Sequence, residues 1–269
     1  MTNEELWKYS KDNKSFLIAQ KKSATKMCDS TIYISETFSK EGEAIKNNEV
    51  TAEMDFKSIK VKSVINTTGL LDSHNDVHIK GLWKKSISEV KGLYLLQEHK
   101  MTFSNIISDN VTASAKNLSW EKLGYNFLGN TEALIFDSVV DKDRNPYMFN
   151  QYLKGWVKNH SVGMRYVSMV LCINSDEKYY TEEKANYDKY YSEIVNKEQS
   201  DLKGMFWAVT EAKIVEGSAV PIGSNYATPT MTVIENKNIE PLENTQIIEP
   251  LQDTQQEKKN YFINISKQN

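Results

Sequence analysis

The chain has 269 residues, 39% of them hydrophobic and 26% charged, which is enough for one sizeable domain with insertions or a tail. A net charge of −3, with basic residues scattered among acidic ones, gives no bulk attraction to nucleic acid, and no segment approaches the ~20 apolar residues that span a bilayer. The amino-terminal stretch MTNEELWKYSKDNK has no apolar signal region, and Cys28 and Cys172 lack metal-ligand spacing, so a soluble intracellular protein with two ordinary thiols is expected.

Residues 1–57 mix polar runs with short apolar patches, SFLIA and STIYISETF, and read as early strands or a loosely attached arm. From residue 58 the pattern sharpens into strand, polar loop, short amphipathic helix and strand, with Trp83, Ile87 and Val90 spaced for one helical face. TEALIFDSVV reads as a strand, and NPYMFNQYLKGWVKN as a helix with Pro146 in its first turn. The run Ser161–Ile173 reads as a strand, and a charged helix is expected to open at Thr181 and close before Gly204. MFWAVTEAKIVEGSAVPIG then reads as a strand pair or one bent strand, with Gly217 marking a bulge or bend. Residues 235–269 are polar, carry the duplicated motif IEPLENTQ and IEPLQDTQ, and read as a flexible tail.

Four constellations are candidates for chemistry. In LDSHNDVH, residues Asp72, His74, Asp76 and His78 share a face if extended, which is a metal-ligand arrangement, whereas Asn75 and Asp76 favour a turn that breaks the alternation. In GLYLLQEHK, Leu93, Leu95, Gln97 and His99 share one strand face, so His99 is either structural or at the edge of a groove. In HSVGMRYV, Ser161, Gly163 and Arg165 share a strand face, and the glycine leaves room for close approach by a substrate backbone. Adjacent His160 projects to the other face and is a poor base for Ser161. In IVEGSAVPIGSNYATPT, Glu216 sits in an apolar strand, where its charge needs a partner or a solvated strand end.

In this order and spacing, LLDSHNDVHIKGLWKKSISE, LYLLQEHK, HSVGMRYV and VEGSAVPIGSNYATPT resemble the prohead (capsid maturation) protease family of tailed bacteriophages, serine peptidases related in fold to herpesvirus assemblin. The resemblance spans about residues 58–230. It implies an α+β domain over 58–234, mainly an antiparallel β-barrel with flanking helices, between the amino-terminal arm and a disordered carboxy-terminal tail. It also implies His99 as base, Ser161 as nucleophile and Glu216 as the acid that orients the imidazole, with Glu211 as substitute; Arg165, sharing the strand face of Ser161, is from that placement alone expected to support an oxyanion directly or through water. No metal or organic cofactor is required. The expected substrates are scaffold protein, the arm of the major capsid protein and the enzyme itself, within a procapsid in the host cytoplasm. Self-association is admitted, and self-cleavage is expected near residues 225–245. A catalytically inactive procapsid or scaffold protein retaining the fold, and a metal-dependent hydrolase using His74, Asp76 and His78, are the competing readings.

Overall fold

The computed structural model describes residues 1–24 and 57–235. The STIYISETF patch, Cys28 and the tail from residue 236 lie outside them. Helices α1 (Asn3–Asp12) and α2 (Lys14–Ser23) open the chain. They are followed by β1 (Ser58–Thr67), β2 (Asp76–His78), α3 (Lys84–Glu89), β3 (Leu95–Gln97), β4 (Ile106–Ser108), β5 (Asn110–Ser119) and β6 (Asn130–Asp141). The order continues with α4 (Pro146–Leu153), β7 (Asn159–Ile173), α5 (Thr181–Tyr190), α6 (Lys197–Lys203), β8 (Met205–Val220) and β9 (Thr230–Glu235). No helix among the described residues is long and apolar enough to cross a membrane.

The protein is α+β, built on two sheets. One is antiparallel, in the order β5-β6-β1-β9. The other is organised by β8, which pairs along its whole length with β7 and, on its other side, in parallel with β2 at its start and β3 at its end. The expected antiparallel barrel is corrected here, since the ladders form two sheets and no closed barrel among the described residues. The physical reason lies in short edge elements: β2 and β3 are three-residue strands paired in parallel with β8, and β3 carries only the three-residue β4 on its other side, where the ladder ends.

The two sheets enclose one main core. Ile65 and Phe136 from one sheet meet Val162, Met164 and Ile214 from the other, all buried. Gly217 faces this core, because a Cβ there would stand 2.6 Å from the Phe136 ring. It is therefore not the bulge expected from sequence. The bulge falls at Val215, which is skipped between the Gly163–Glu216 and Met164–Ile214 pairs. The segment MFWAVTEAKIVEGSAV is accordingly one bent strand.

The expected charged helix starts and stops at the anticipated residues but is broken into α5 and α6. Between them Asn196 exchanges hydrogen bonds with the Leu71 backbone (2.8 and 2.9 Å) and Val195 N–H donates to the Gly69 carbonyl (2.8 Å). These satisfy the backbone groups after β1 that point away from β2.

SFLIA is helical, within α2, and the arm is fastened to the body. Trp7 Nε1 donates to the Lys203 carbonyl (2.9 Å), and its ring lies where any Cβ on Gly204 would fall, at 2.3 Å. Lys11 and Lys14 both reach Glu183, whose side chain is fully buried. Burial pushes the Glu183 carboxyl up, but hydrogen bonds from Lys11 and Lys14 outweigh it and hold the group below the ordinary carboxylate range. Glu183→Gln should lower stability by about 1–3 kcal/mol at neutral pH. A carboxyl depressed in the folded state contributes fully above its unfolded value, about 4.3, and loses that contribution as pH falls through the folded value. Thermal denaturation of the wild type and variant should therefore differ at pH 7 and converge in acid.

Candidate active site

The outer face of the β7–β8 ladder is the side turned away from the core. Residues 161, 162 and 163 pair without interruption with 218, 217 and 216. With Val162 and Gly217 facing inward, Ser161, Gly163, Glu216 and Ser218 all face outward. Glu216 is 1% exposed, so its carboxylate must be met by donors. Two are present: His99 Nδ1 lies 2.6 Å from Oε1, and the Ser218 hydroxyl donates to Oε2 at 2.7 Å.

His99 reaches this face through a turn, which corrects the expectation that it continues the alternation of Leu93, Leu95 and Gln97. β3 ends at Gln97, and Glu98 and His99 both adopt left-handed backbone, with φ of 54° and 57°. Such conformations are costly for residues with side chains and persist where the surroundings over-determine them. Here Glu98 N–H donates to the Ala219 carbonyl (3.0 Å), and His99 N–H donates to the Ser218 hydroxyl (3.0 Å). Ser218 thus accepts from the His99 backbone and donates to the carboxylate that holds the His99 ring.

Because Glu216 can only accept, His99 Nδ1 carries the proton in this contact and Nε2 is left as the basic atom of the neutral ring. Nε2 is buried and makes no hydrogen bond with any described group, Ser161 included. Gly163 has a function other than the one expected from sequence. A Cβ there would lie 2.0 Å from Glu216 Oε1, so the glycine makes room for the carboxylate within the protein. Over Ser161 lies the turn after β8, where a Cβ on Gly223 would come within 3.7 Å of the Ser161 Cβ.

The remaining candidates lie elsewhere. Glu211 pairs with Ser168, five residues back along β8 from Glu216, and its carboxylate faces Lys85 at 3.3 Å. Five strand residues span roughly 16 Å, which removes Glu211 as the substitute acid. Arg165 is exposed opposite Lys213, on the Ser161 face but four residues along, roughly 13 Å.

His160 faces the other way and is fully buried. Its Nδ1–H donates to the Thr228 carbonyl (3.2 Å), and Nε2 accepts from the Tyr152 hydroxyl (3.0 Å), which burial keeps protonated. Burial lowers the His160 pKa to about 4, partly opposed by the Thr228 carbonyl.

The LDSHNDVH segment forms the turn favoured by Asn75, whose φ is 59°. Asp72 Oδ1 accepts the backbone N–H groups of His74 (2.9 Å) and Asp76 (3.0 Å). Asp72, Asp76 and His78 still come together, with ligand atoms within 4.8 Å of one another, and His74 is not part of that group. A cation already sits there: Lys21 Nζ of the arm is 2.6 Å from Asp76 Oδ1, while the Tyr166 hydroxyl donates to Oδ2.

Ser218 is the site residue that sequence reasoning missed. A serine two residues after Glu216 on one strand necessarily shares its face, and that spacing was the available signal.

Two outcomes are expected. Ser218→Ala should weaken the His99–Glu216 pairing, read by NMR as a changed His99 Nδ1–H resonance, while circular dichroism stays native. For His160, an imidazole held neutral in the fold takes up a proton on unfolding between pH 6.5 and about 4. Wild-type stability should therefore fall over that window, by up to about 3 kcal/mol, and His160→Gln should flatten the slope in thermal melts.

No family model matches the chain, and neither does any curated protein or solved structure.

Proposed function

We propose that the protein is a serine endopeptidase, with Ser161 as nucleophile, His99 as general base and Glu216 as the group that orients and charge-stabilises the imidazole. The observation that carries this reading is the 2.6 Å contact between His99 Nδ1 and the buried Glu216 carboxylate, made on the strand face that also bears Ser161. A carboxylate on Nδ1 fixes the tautomer that leaves Nε2 basic and stabilises the imidazolium formed when Nε2 takes a proton.

In the reaction Ser161 Oγ attacks the scissile carbonyl while its proton passes to His99 Nε2. The tetrahedral adduct then collapses, the C–N bond breaks, and His99 returns the proton to the leaving amine. Water, deprotonated by the same Nε2, hydrolyses the acyl-enzyme and regenerates Ser161. Arg165, roughly 13 Å along β7, does not meet the oxyanion directly, and its part in the proposal is through water alone.

The resemblance of the four segments to prohead proteases extends the proposal to an assemblin-like fold. It adds a role in phage head maturation, cutting scaffold and capsid-protein arms, and the enzyme itself, inside the procapsid. Self-processing is directed beyond Glu235. Residues 225–235 are held by Asn225 on Thr67, Thr228 on His160 and the β9–β1 ladder, so a cut within them would have to break the sheet.

A second reading is favoured by the bare His99 Nε2: a protein that retains this arrangement as a procapsid or scaffold component without catalysis. Catalytic hydrogen bonds are often long before substrate arrives, which keeps the peptidase reading first.

A serine-directed fluorophosphonate separates the two. Labelling at Ser161, located by peptide mass spectrometry and lost in Ser161→Ala and His99→Ala, is expected, as is loss of proteolysis by about 10⁶ in either variant. Glu216→Gln should cost less, up to about 10⁴. Folded protein that neither labels nor cuts procapsid proteins would leave the structural reading. Chelators should leave the activity intact, and activity restored only by added zinc would return the Asp72–Asp76–His78 group to consideration.

A further inference from the structure

At the end of the β7–β8 ladder, next along the chain from the proposed catalytic groups, is a cleft of about 350 Å³, lined both by Asn159 and Val220 on the Ser161 face and by Ala219, which pairs with His160 on the core-facing side. Gln97 and Glu98 precede His99, Asn159 stands two residues before Ser161, and Ala219–Pro221 follow Ser218. Two strand residues amount to roughly 7 Å, the reach of a side chain on a residue flanking the scissile bond. The far wall comes from α4 and the segment after it, with buried Met148 and Val157 below and Tyr147 and Trp156 at the rim.

Two polar groups of the near wall are already engaged. Asn159 Nδ2 donates to the Pro221 carbonyl (3.0 Å), and Glu98 is paired with Lys100 at 2.7 Å, which holds its carboxyl below the ordinary range. Lys158 is exposed. The floor is left to Met148, Val157, Ala219 and Val220, all apolar and buried. Above it, Trp156 and Tyr147 are 59% and 61% exposed. Lys154 Nζ sits 4.6 Å from the Trp156 ring centre and props the indole. An apolar floor with an aromatic rim takes up an apolar guest, and the charged groups of the lining, Glu98 paired with Lys100 and Lys158 exposed, stand off that floor.

We infer that this cleft is the side-chain subsite of the proposed peptidase, and that it selects an extended polypeptide with a large apolar or aromatic residue on the acyl side of the scissile bond. The inference rests on the peptidase reading, and the test keeps the two apart. Purified full-length protein is treated with a fluorophosphonate that carries no peptide, and with dipeptidyl diphenyl phosphonates in which the residue bonded to phosphorus is an analogue of Gly, Phe, Asp or Lys. The rate of Ser161 labelling is followed by mass spectrometry.

The Phe analogue should react about tenfold or more faster than the Gly analogue, and the Asp and Lys analogues no faster than Gly. The Phe-to-Gly ratio should fall several-fold in Trp156→Ala and in Tyr147→Ala, both exposed positions, and stay unchanged in Leu128→Ala, an exposed residue between β5 and β6. Equal rates for all four analogues, a preference for Asp or Lys, or a ratio that survives both rim substitutions would overturn the subsite while fluorophosphonate labelling left the peptidase reading standing. No labelling by any probe would overturn both.

Discussion

A carboxylate removed from water inside a sheet is the constraint around which the candidate site is arranged. Glu216 needs donors because burial penalises its charge, and no arrangement of neutral apolar neighbours supplies them. Meeting that need fixes three other features. An imidazole is drawn to one oxygen and a hydroxyl to the other, and the strand opposite gives up a side chain at Gly163. The unusual backbone of Glu98 and His99 follows from the same demand, since the chain leaving β3 must fold back over Ser218 to bring the ring to the acid. A strained turn is tolerated where a buried charge is satisfied by it.

Much of this was legible in the sequence because strands report faces. Alternation alone places Ser161 and Gly163 together, separates His160 from them and puts Glu216 in an apolar strand needing a partner. The start of α4 and the two ends of the charged helical region were also readable, because Pro146 and Gly204 are local signals, whereas α4 stops at Leu153, short of the expected Trp156 and Val157. What escaped depends on contacts between distant segments. That Gly163 accommodates a carboxylate rather than a substrate, that Gly217 clears Phe136, and that the helical region breaks to serve Leu71 are facts about partners that no local pattern encodes. Sheet closure failed as an expectation for the same reason, since parallel pairing of β2 and β3 with β8 is set by tertiary docking and leaves no mark on three-residue segments.

The amino-terminal helices illustrate how charge substitutes for apolar burial in attaching a segment. α2 buries no residue completely, yet its Lys14 and Lys21, with Lys11 of α1, end on Glu183 and Asp76, both fully buried acids. The Lys21 ammonium stands where the sequence pattern suggested a metal, and the resulting Lys21–Asp76–Tyr166 contact ties the arm to β2 and β7 together. One group of acidic residues therefore serves attachment, whereas the acid on the opposite end of β8 serves the imidazole. The two differ in whether the partner is an ammonium, always charged near neutrality, or a ring that gains and loses its proton.

The space left by Gly163 also constrains how the chain can change. Position 163 and position 216 occupy one volume: a methyl group at the first displaces the carboxylate of the second, and a shorter acid at the second would leave a hole beneath the first. Neither residue can drift alone without loosening the imidazole. Gly163→Ala and Glu216→Asp form a pair in which each change opens room for, or fills room left by, the other, so their combined effect should be milder than the sum of the two. Relatives of this chain too distant for sequence comparison should carry the two positions as a linked pair, glycine with glutamate or a larger residue with a shorter acid, and that linkage can serve to recognise them.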